Sequence, residues 1–341
     1  MASFWGLDKH GNEVFTHNLK GNQGMEVCIS NYGAIIKNLR IPTRNACAID
    51  TVLHYPQLSQ YLDDQHWIGA VCGRYCNRIQ HAKFNLNGTA YALDVNENPH
   101  HLHGGEEGFS KRTWTIESTS EKHIALSLVS VHGDQGYPGK LNVTVEYRLQ
   151  ENDQEQQLIF IWSATSTHDT VVNLTNHAYF NLAGSGDIAE HHLRIPCQYY
   201  TPVNGDGIPL GDILPVENTA LDFTQSRVLK DVIMQHKGLD NNWLHAPDEV
   251  SNSTGKNTLK HFAELAHPRS GLSLNVHSTL PGLQCYTGNH LAGSKVFRNH
   301  QGICLESQFF PDSPNNTNFP SAFLQKDTLT KHETHYIFEQ S

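Results

Sequence analysis

The chain has 341 residues and a formal net charge of −10 at pH 7 with its histidines counted as neutral. This acidic balance argues against nucleic acid or an anionic membrane as a partner, because both require a basic protein face. No run approaches the roughly 18 apolar residues of a membrane-spanning helix. The amino-terminal segment lacks the apolar core of a secretory signal, so we expect a soluble, cytoplasmic protein.

Seven cysteines are scattered along the chain. Their number is odd and no two form a C-x-x-C pair, which is typical of reduced intracellular thiols rather than of a disulfide framework. Cys72 and Cys76 are four residues apart, but the sequence offers no second pair with zinc-ligand spacing. The cysteines therefore predict neither disulfides nor a structural zinc site.

Three successive segments carry the sequence pattern of β-strands. Apolar residues recur at every second position over residues 124–128 and again over Leu141–Leu149. Leu158–Trp162 is apolar at every position, as expected of a strand that is buried on both faces. Polar turn segments separate the three, and the pattern therefore predicts antiparallel sheets.

Helical patterns are few and short. Val228–His236 and Leu259–Leu265 show roughly helical spacing of apolar residues. Two loop-like regions, Val203–Pro215 and Asp248–Asn257, do not change the composition enough to mark a domain boundary. No Gly-rich phosphate loop follows a strand and opens a helix, so a nucleotide fold is not expected. We predict one all-β domain over residues 1–341, a large β-sandwich with few short helices.

The segment Gly73–Ile79 places two arginines and an asparagine between apolar residues. Arg74, Asn77 and Arg78 are suited to project into a cleft as fixed hydrogen-bond donors. The alternative is that one of the arginines forms a structural salt bridge, and the sequence leaves both interpretations open.

Three histidines, His100, His101 and His103, precede a pair of glycines. Imidazole is a common metal ligand, and on a strand His101 and His103 would share one face. However, a mononuclear site would need a third ligand from elsewhere, and the sequence has neither an H-E-x-x-H motif nor a cysteine cluster. A metal site is the less favoured interpretation, and the glycines suggest instead a close approach of the backbone to a ligand.

Three further ionisable residues stand near apolar or aromatic ones. His177 lies in a strand-like stretch, where a satisfied core histidine is the common outcome and a catalyst is the alternative. Asp240 follows Gly238-Leu239 and precedes Trp243, a pattern that also fits a simple Asx turn. Glu306 follows an apolar run and should end a buried strand, where a carboxylate is costly unless it is paired with an arginine or functional.

Jointly these segments resemble the aldose 1-epimerase (galactose mutarotase) family. The resemblance extends from Asn31 to Tyr336, and its markers occur in family order. The markers are Gly73–Ile79, Leu102–Gly105, Asn173–Leu182, Gly238–Asn242, Pro281–Asn289 and Leu305–Gln308. The stretches Pro311–Asn315 and Asn318–Ser321 also resemble bacterial members of the family.

The resemblance implies a galactose mutarotase-like supersandwich, all-β, with its site in a wide, open cleft. Glu306 then stands at the general-base position, His177 at the general-acid position, and His103 close to the reacting centre as a second donor. The sugar-binding positions are held by Asn77, Arg78, Asp240 and Gln284.

Three residues depart from the family pattern. Asn241 stands where relatives usually have His, Cys76 where Ala is usual, and His101 where Asn or Ser is commoner. None of these changes removes a proton-transfer residue, so we expect them to affect substrate preference more than activity.

The implied reaction interconverts the α and β anomers of a free aldose such as galactose or glucose. It needs one base and one acid at the anomeric centre. There is no redox change and no leaving group, so we expect a monosaccharide ligand, no cofactor and no metal. Burial should raise the pKa of Glu306, and nearby carboxylates should keep His177 protonated.

Three alternative functions stay open at this point. A hexose-6-phosphate epimerase would need a basic phosphate pocket, which the acidic sequence does not reveal. A non-catalytic carbohydrate-binding protein would have no use for an acid–base pair, and a metal-dependent β-barrel enzyme lacks a full ligand set. With no coiled-coil pattern, we expect a monomer or a weak homodimer.

Overall fold

The computed structural model describes residues 2–44, 48–152, 155–246 and 258–340. The loop expected over Asp248–Asn257 lies outside the described residues. The α-helices of the described part are α1 (Leu58–Leu62) and α2 (Leu229–His236). Neither is long and apolar enough to cross a membrane.

Strands make up most of the regular structure in the described ranges. In chain order the first fourteen are β1 (Ser3–Leu7), β2 (Glu13–Lys20), β3 (Glu26–Ser30), β4 (Ile36–Pro42), β5 (Ala48–Asp50), β6 (Val71–Cys72), β7 (Arg78–Ile79), β8 (Lys83–Leu86), β9 (Thr89–Ala92), β10 (His101–Leu102), β11 (Thr115–Thr119), β12 (His123–Ser130), β13 (Leu141–Glu151) and β14 (Gln156–Ser166). The next fourteen are β15 (Thr170–Val171), β16 (Thr175–Asn176), β17 (Tyr179–Phe180), β18 (His192–Arg194), β19 (Tyr199–Thr201), β20 (Leu214–Pro215), β21 (Arg227–Val228), β22 (Asp240–Leu244), β23 (Lys260–His267), β24 (Leu272–Ser278), β25 (Gly282–Tyr286), β26 (Ile303–Gln308), β27 (Phe323–Leu324) and β28 (Leu329–Gln340).

Three larger sheets organise the fold. One contains β1 to β5 in chain order, the second has the order β11-β12-β13-β14-β28-β24-β23-β18-β21, and the third has the order β17-β26-β25-β22-β19-β20. Neighbouring strands in all three run antiparallel. Leu39, Trp162 and Trp243, one from each sheet, belong to the same buried apolar cluster. The predicted all-β sandwich of antiparallel sheets is confirmed.

The strands predicted from apolar periodicity are present. Leu141–Leu149 lies within β13, where buried residues alternate with partly exposed ones. Leu158–Trp162 lies within β14, and all five of its residues are buried, as the continuous apolar run predicted. Because β14 pairs on both sides, with β13 and β28, it is a central strand of the nine-stranded sheet.

The helical prediction is right at one place and wrong at the other. Val228–His236 contains α2, whose buried residues are Leu229 and Val232. The helix predicted over Leu259–Leu265 is absent, and all of these residues except Leu259 belong to β23. There the register shifts between His261 and Ala263, and such a bulge breaks the two-residue alternation of a strand. The apolar residues consequently fall at a spacing that imitates a helix.

Arg74 stabilises the scaffold and does not line the cleft described below. Its side chain is 1% exposed, and its guanidinium donates hydrogen bonds of 2.8–3.3 Å to the carbonyl oxygens of Ser130, Val131, Pro138 and Gly139. Neither a cleft donor nor a salt bridge describes this residue, because its Nη1 and Nη2 groups donate to backbone carbonyls and to the Ser130 hydroxyl. Burial lowers the pKa of Arg74 to about 10, so the group stays charged at neutral pH.

Replacing Arg74 with methionine should destabilise the protein. The change leaves several buried carbonyl groups without donors, and we expect the free energy of unfolding to fall by roughly 3 kcal/mol. Urea unfolding followed by circular dichroism measures the loss. Arg298→Met, at an exposed arginine, is the matched control and should change stability by less than about 0.5 kcal/mol. Equal stability of the two variants would contradict a structural role for Arg74.

Candidate active site

A cleft of about 300 Å³ opens over three neighbouring strands, β22, β25 and β26. Its lining contains every residue that the sequence assigned to the site: Asn77, Arg78, His103, His177, Asp240, Gln284 and Glu306. These residues come from widely separated parts of the chain, and the fold brings all of them together.

The register of the three strands places the acidic and amide groups on one face. Gln284 on β25 lies directly opposite both Glu306 on β26 and Asn242 on β22. Asp240 is two residues from Asn242 and therefore points to the same face. The Gln284 Nε2 atom donates to Asp240 Oδ1 at 2.6 Å. Asp240 begins a strand and does not form the simple turn that the sequence left open.

Glu306 is the most unusual ionisable group of the cleft. It lies inside β26, rather than at its end as predicted, and every residue of that strand is buried. Its side chain is only 2% exposed, and no hydrogen-bond donor in the described part of the protein reaches its Oε2 atom. Burial raises the pKa of Glu306 well above its ordinary value, and Asp240 adds to this effect while Arg78 opposes it.

His177 lies between the short strands β16 and β17, and backbone hydrogen bonds hold it in position. Its N–H donates to the Ala70 carbonyl at 2.8 Å, and its carbonyl accepts from the Gly69 N–H at 3.0 Å. The ring contacts two side chains of β26: Nε2 is 3.7 Å from Glu306 Oε1, and Nδ1 is 3.4 Å from Cys304 Sγ.

The surroundings of His177 favour the neutral imidazole, not the charged form that the sequence predicts. Burial lowers the pKa of His177 to about 4, so the imidazole is neutral when Glu306 keeps its proton. The sequence-based prediction that nearby carboxylates hold the imidazole in its charged form is therefore wrong for the unliganded protein. Desolvation outweighs that attraction because both partners of the pair are almost completely buried.

His103 presents a hydrogen-bond donor to the cleft. Its Nδ1 atom accepts a hydrogen bond of 3.1 Å from the Asn77 backbone N–H, and burial lowers its pKa well below the ordinary value. A neutral imidazole whose Nδ1 is an acceptor carries its hydrogen on Nε2. The His103 backbone N–H in turn donates to the Asn77 carbonyl at 3.1 Å, and the Trp67 ring lies 4.5 Å from the imidazole, centroid to centroid.

Arg78 is held in place by an acidic partner that the sequence did not reveal. Its Nε and Nη2 atoms donate to the two carboxylate oxygens of Glu97 at 2.8 and 3.0 Å. Its Nη1 atom lies 4.0 Å from Asp240 Oδ2. Asn77 contributes to this arrangement, since its Oδ1 atom accepts from the Arg78 backbone N–H at 2.8 Å.

The metal interpretation of His101 and His103 is not supported by their contacts. His101 Nδ1 lies 2.6 Å from the Asp94 carbonyl and His101 Nε2 lies 2.8 Å from the Tyr137 hydroxyl, so both of its nitrogens are engaged. β10 ends at Leu102, and the strand face that the two histidines were expected to share does not extend to His103.

The glycine after His103 serves the scaffold and not a ligand. Gly104 has a φ of +91°, and a Cβ atom at this position would lie 1.7 Å from the Gly73 carbonyl oxygen. The close backbone approach that the sequence suggested is therefore present, but its partner is another part of the chain. Only glycine fits this contact.

The three departures from the family pattern lie outside the lining of the cleft. Cys76 is buried, and its Sγ atom donates to Gln308 Oε1 at 3.3 Å. Asn241 follows Asp240, which lines the cleft, so its own side chain points to the other face of β22. His101 is likewise absent from the lining, so none of the three departures is a lining residue of the cleft.

Sequence reasoning missed several contributors to the site, among them Cys304, Trp67 and Glu97. Cys304 was detectable, because it precedes Glu306 by two positions and residues at that spacing share one face of a strand. Glu97 and Trp67 carry no comparable signal, since their contacts with Arg78 and His103 depend on how separate loops meet.

The family model for aldose 1-epimerase matches residues 16–337 of the chain. Among curated proteins, galactose mutarotase from Rattus norvegicus is 37% identical over 98% of this chain and 97% of its own length. Aldose 1-epimerase from Escherichia coli strain K12 is 33% identical and covers 94% of each chain.

Solved structures show the same fold. An aldose epimerase homologue from C. elegans superposes with a TM-score of 0.85 at 24% identity, covering 100% of this chain and 99% of the other. Galactose 1-epimerase from Lactobacillus acidophilus NCFM gives a TM-score of 0.84 at 24% identity with the same coverage. Together with the match over residues 16–337, these findings lead to one conclusion: the chain belongs to the aldose 1-epimerase family.

Proposed function

We propose that the protein is a mutarotase that interconverts the α and β anomers of free aldoses. The observation that carries the proposal is the contact between Glu306 and His177, two buried ionisable groups 3.7 Å apart in an open cleft. Family membership supports the same activity. Because several relatives are named galactose mutarotase, galactose is the first substrate to test.

In the proposed mechanism, the Glu306 carboxylate accepts the proton of the anomeric hydroxyl while the His177 imidazolium donates a proton to the ring oxygen. The bond between C1 and the ring oxygen breaks, and an open-chain aldehyde forms. Rotation about C1–C2 exposes the other face of the carbonyl, and ring closure reverses both proton transfers. Each positioned transfer contributes roughly 10²–10⁴-fold to the rate, without help from a cofactor.

The pair works with a single proton. Burial raises the pKa of Glu306 and lowers that of His177, so one proton remains on the pair over a wide pH range. It rests on Glu306, and its transfer to His177 produces the carboxylate and imidazolium that the mechanism requires. Both arrangements have the same total charge, and the two residues therefore titrate as a unit.

The remaining polar groups are suited to binding sugar hydroxyls, each of which both donates and accepts hydrogen bonds. His103 offers its Nε2–H as a donor, and the Arg78 guanidinium is oriented by Glu97. Gln284 Oε1 is an acceptor, since within the described residues no donor reaches it while Nε2 is held by Asp240. We assign Asn77, Arg78, Asp240 and Gln284 to substrate binding. His103 keeps its proposed catalytic role as a second donor beside the reacting centre.

A sugar phosphate is a poor fit to this cleft. Arg78 is the only arginine or lysine among the described lining residues, and it is already paired with Glu97. Asp240 and Glu306 are further acidic residues of the lining. We therefore favour unphosphorylated sugars. On the sequence evidence we further propose the cytoplasm as the compartment and a monomer or weak homodimer as the working state.

The variant Glu306→Gln should lose catalysed mutarotation while it still binds sugar. The amide keeps the shape of the side chain but cannot accept a proton, and we expect kcat to fall by about 10²–10⁴-fold. Polarimetry of freshly dissolved α-galactose, corrected for the spontaneous reaction, measures the rate, and calorimetry measures binding. Glu190→Gln, at an ion pair exposed to solvent, is the matched control. A near-normal rate for Glu306→Gln would refute the proposed base.

The pH dependence of kcat/KM should be bell-shaped. As pH falls towards about 4, the pKa of His177, a second proton enters the pair and the base is lost. As pH rises through the raised pKa of Glu306, the last proton leaves and no acid remains. Polarimetric rates across the range of stable folding, after subtraction of the buffer-catalysed rate, test this expectation. A rate that climbs steadily into alkaline pH would contradict a one-proton active state.

Glucose and glucose 6-phosphate should be distinguished sharply. The phosphate brings negative charge to a cleft in which Arg78 is already paired with Glu97 and Asp240 adds a further acidic group, and we expect kcat/KM for the phosphorylated sugar to be lower by about tenfold or more. The two sugars are compared under identical salt in a coupled assay for the β anomer. A preference for the phosphate would instead identify a hexose-6-phosphate epimerase.

A further inference from the structure

A cysteine that the proposed reaction does not use lies directly behind the acid–base pair. Among the described residues, His177, Cys304 and Glu306 bring three potential metal-ligand atoms within 4.8 Å of one another. Cys304 and Glu306 share one face of β26 because they are two residues apart. The imidazole lies against both, with Nδ1 3.4 Å from the sulfur and Nε2 3.7 Å from the carboxylate.

A thiolate, an imidazole and a carboxylate form a ligand set that suits Zn²⁺. Tetrahedral Zn²⁺ with bonds of about 2.0–2.3 Å holds its ligand atoms roughly 3.3–3.8 Å apart. One imidazole nitrogen, the sulfur and one carboxylate oxygen lie within 4.8 Å of one another, so side-chain rotations that shorten the wider separations would complete the site. Three protein ligands leave a fourth position for water, as in zinc sites that remain open.

An independent observation also points to a cation. Glu306 Oε2 is buried and has no hydrogen-bond partner within the described ranges, and a cation that replaces the Glu306 proton would supply the partner that this oxygen lacks. The cleft gives an ion access to the site, since both His177 and Glu306 line it. Cys304 forms the wall behind them and is fully buried.

We propose that His177, Cys304 and Glu306 form an inhibitory site for Zn²⁺ and similar thiophilic divalent ions. Binding replaces the S–H bond of Cys304 with a metal–sulfur bond and also displaces the proton shared by His177 and Glu306, so two protons leave to solvent. The ion removes both the acid and the base from the reaction. Mg²⁺, which prefers oxygen ligands in octahedral geometry, should not bind there.

The binding experiment is independent of catalytic activity. The full-length protein is dialysed against EDTA, freed of chelator and titrated with Co²⁺ as a spectroscopic substitute for Zn²⁺. We expect one equivalent to produce thiolate-to-Co²⁺ charge-transfer absorption that Zn²⁺ abolishes. Cys304→Ser should lack this absorption. Cys285→Ser, which alters a buried cysteine on the adjacent strand, should retain it.

The inhibition experiment rests on the proposed mutarotase function. Zn²⁺ should inhibit the wild type and Cys285→Ser in competition with galactose, and EDTA should restore the rate. In Cys304→Ser, with each variant referred to its own metal-free rate, half-inhibition should require on the order of tenfold more Zn²⁺.

The outcomes separate the two proposals. Absence of the charge-transfer absorption in the wild type, or its persistence in Cys304→Ser, would overturn the metal site, as would equal inhibition of all three proteins. If Cys304→Ser fails to fold, Cys304→Ala replaces it in both experiments. Co²⁺ binding by a protein without mutarotase activity would leave the metal site standing and reject the proposed function alone.

Discussion

Burial of the Glu306 carboxylate creates the electrostatic environment on which the rest of the candidate site depends. Every residue of β26 is buried, and no donor in the described chain compensates Oε2. The cost of an ionised group there keeps a proton on the pair and leaves His177 neutral. A hydrogen bond to Oε2 would stabilise the ionised carboxylate and would therefore lower the basicity that the proposed proton transfer requires.

Much of the fold could be predicted from the sequence, because the sandwich depends on local periodicity. β13 and β14 follow directly from alternation and from one uninterrupted apolar run. β23 could not be predicted in this way, since the bulge between His261 and Ala263 replaces the strand spacing with one that imitates a helix. The strand order of the nine-stranded sheet could not be predicted either, because β28, at the end of the chain, lies between β14 and β24.

The membership of the candidate site could be predicted from family resemblance, but its electrostatics could not. All seven assigned residues line one cleft, while their catalytic and binding roles await the experiments above. The two arginines of Gly73–Ile79 looked equivalent in sequence, yet Arg74 binds backbone carbonyls and Arg78 faces the cleft. Likewise, the charge of His177 depends on its desolvation, which is a property of the folded surroundings and has no counterpart in the residue order.

The 3.7 Å separation between Glu306 and His177 has a thermodynamic consequence for the proposed reaction. Within one ring opening and closure each group both gives and takes a proton, so the pair ends the cycle as it began it. No second substrate is consumed and no free energy is supplied. Such a protein cannot favour either anomer: it shortens the time to equilibrium, and the direction of net conversion is set by whichever neighbouring reaction removes an anomer.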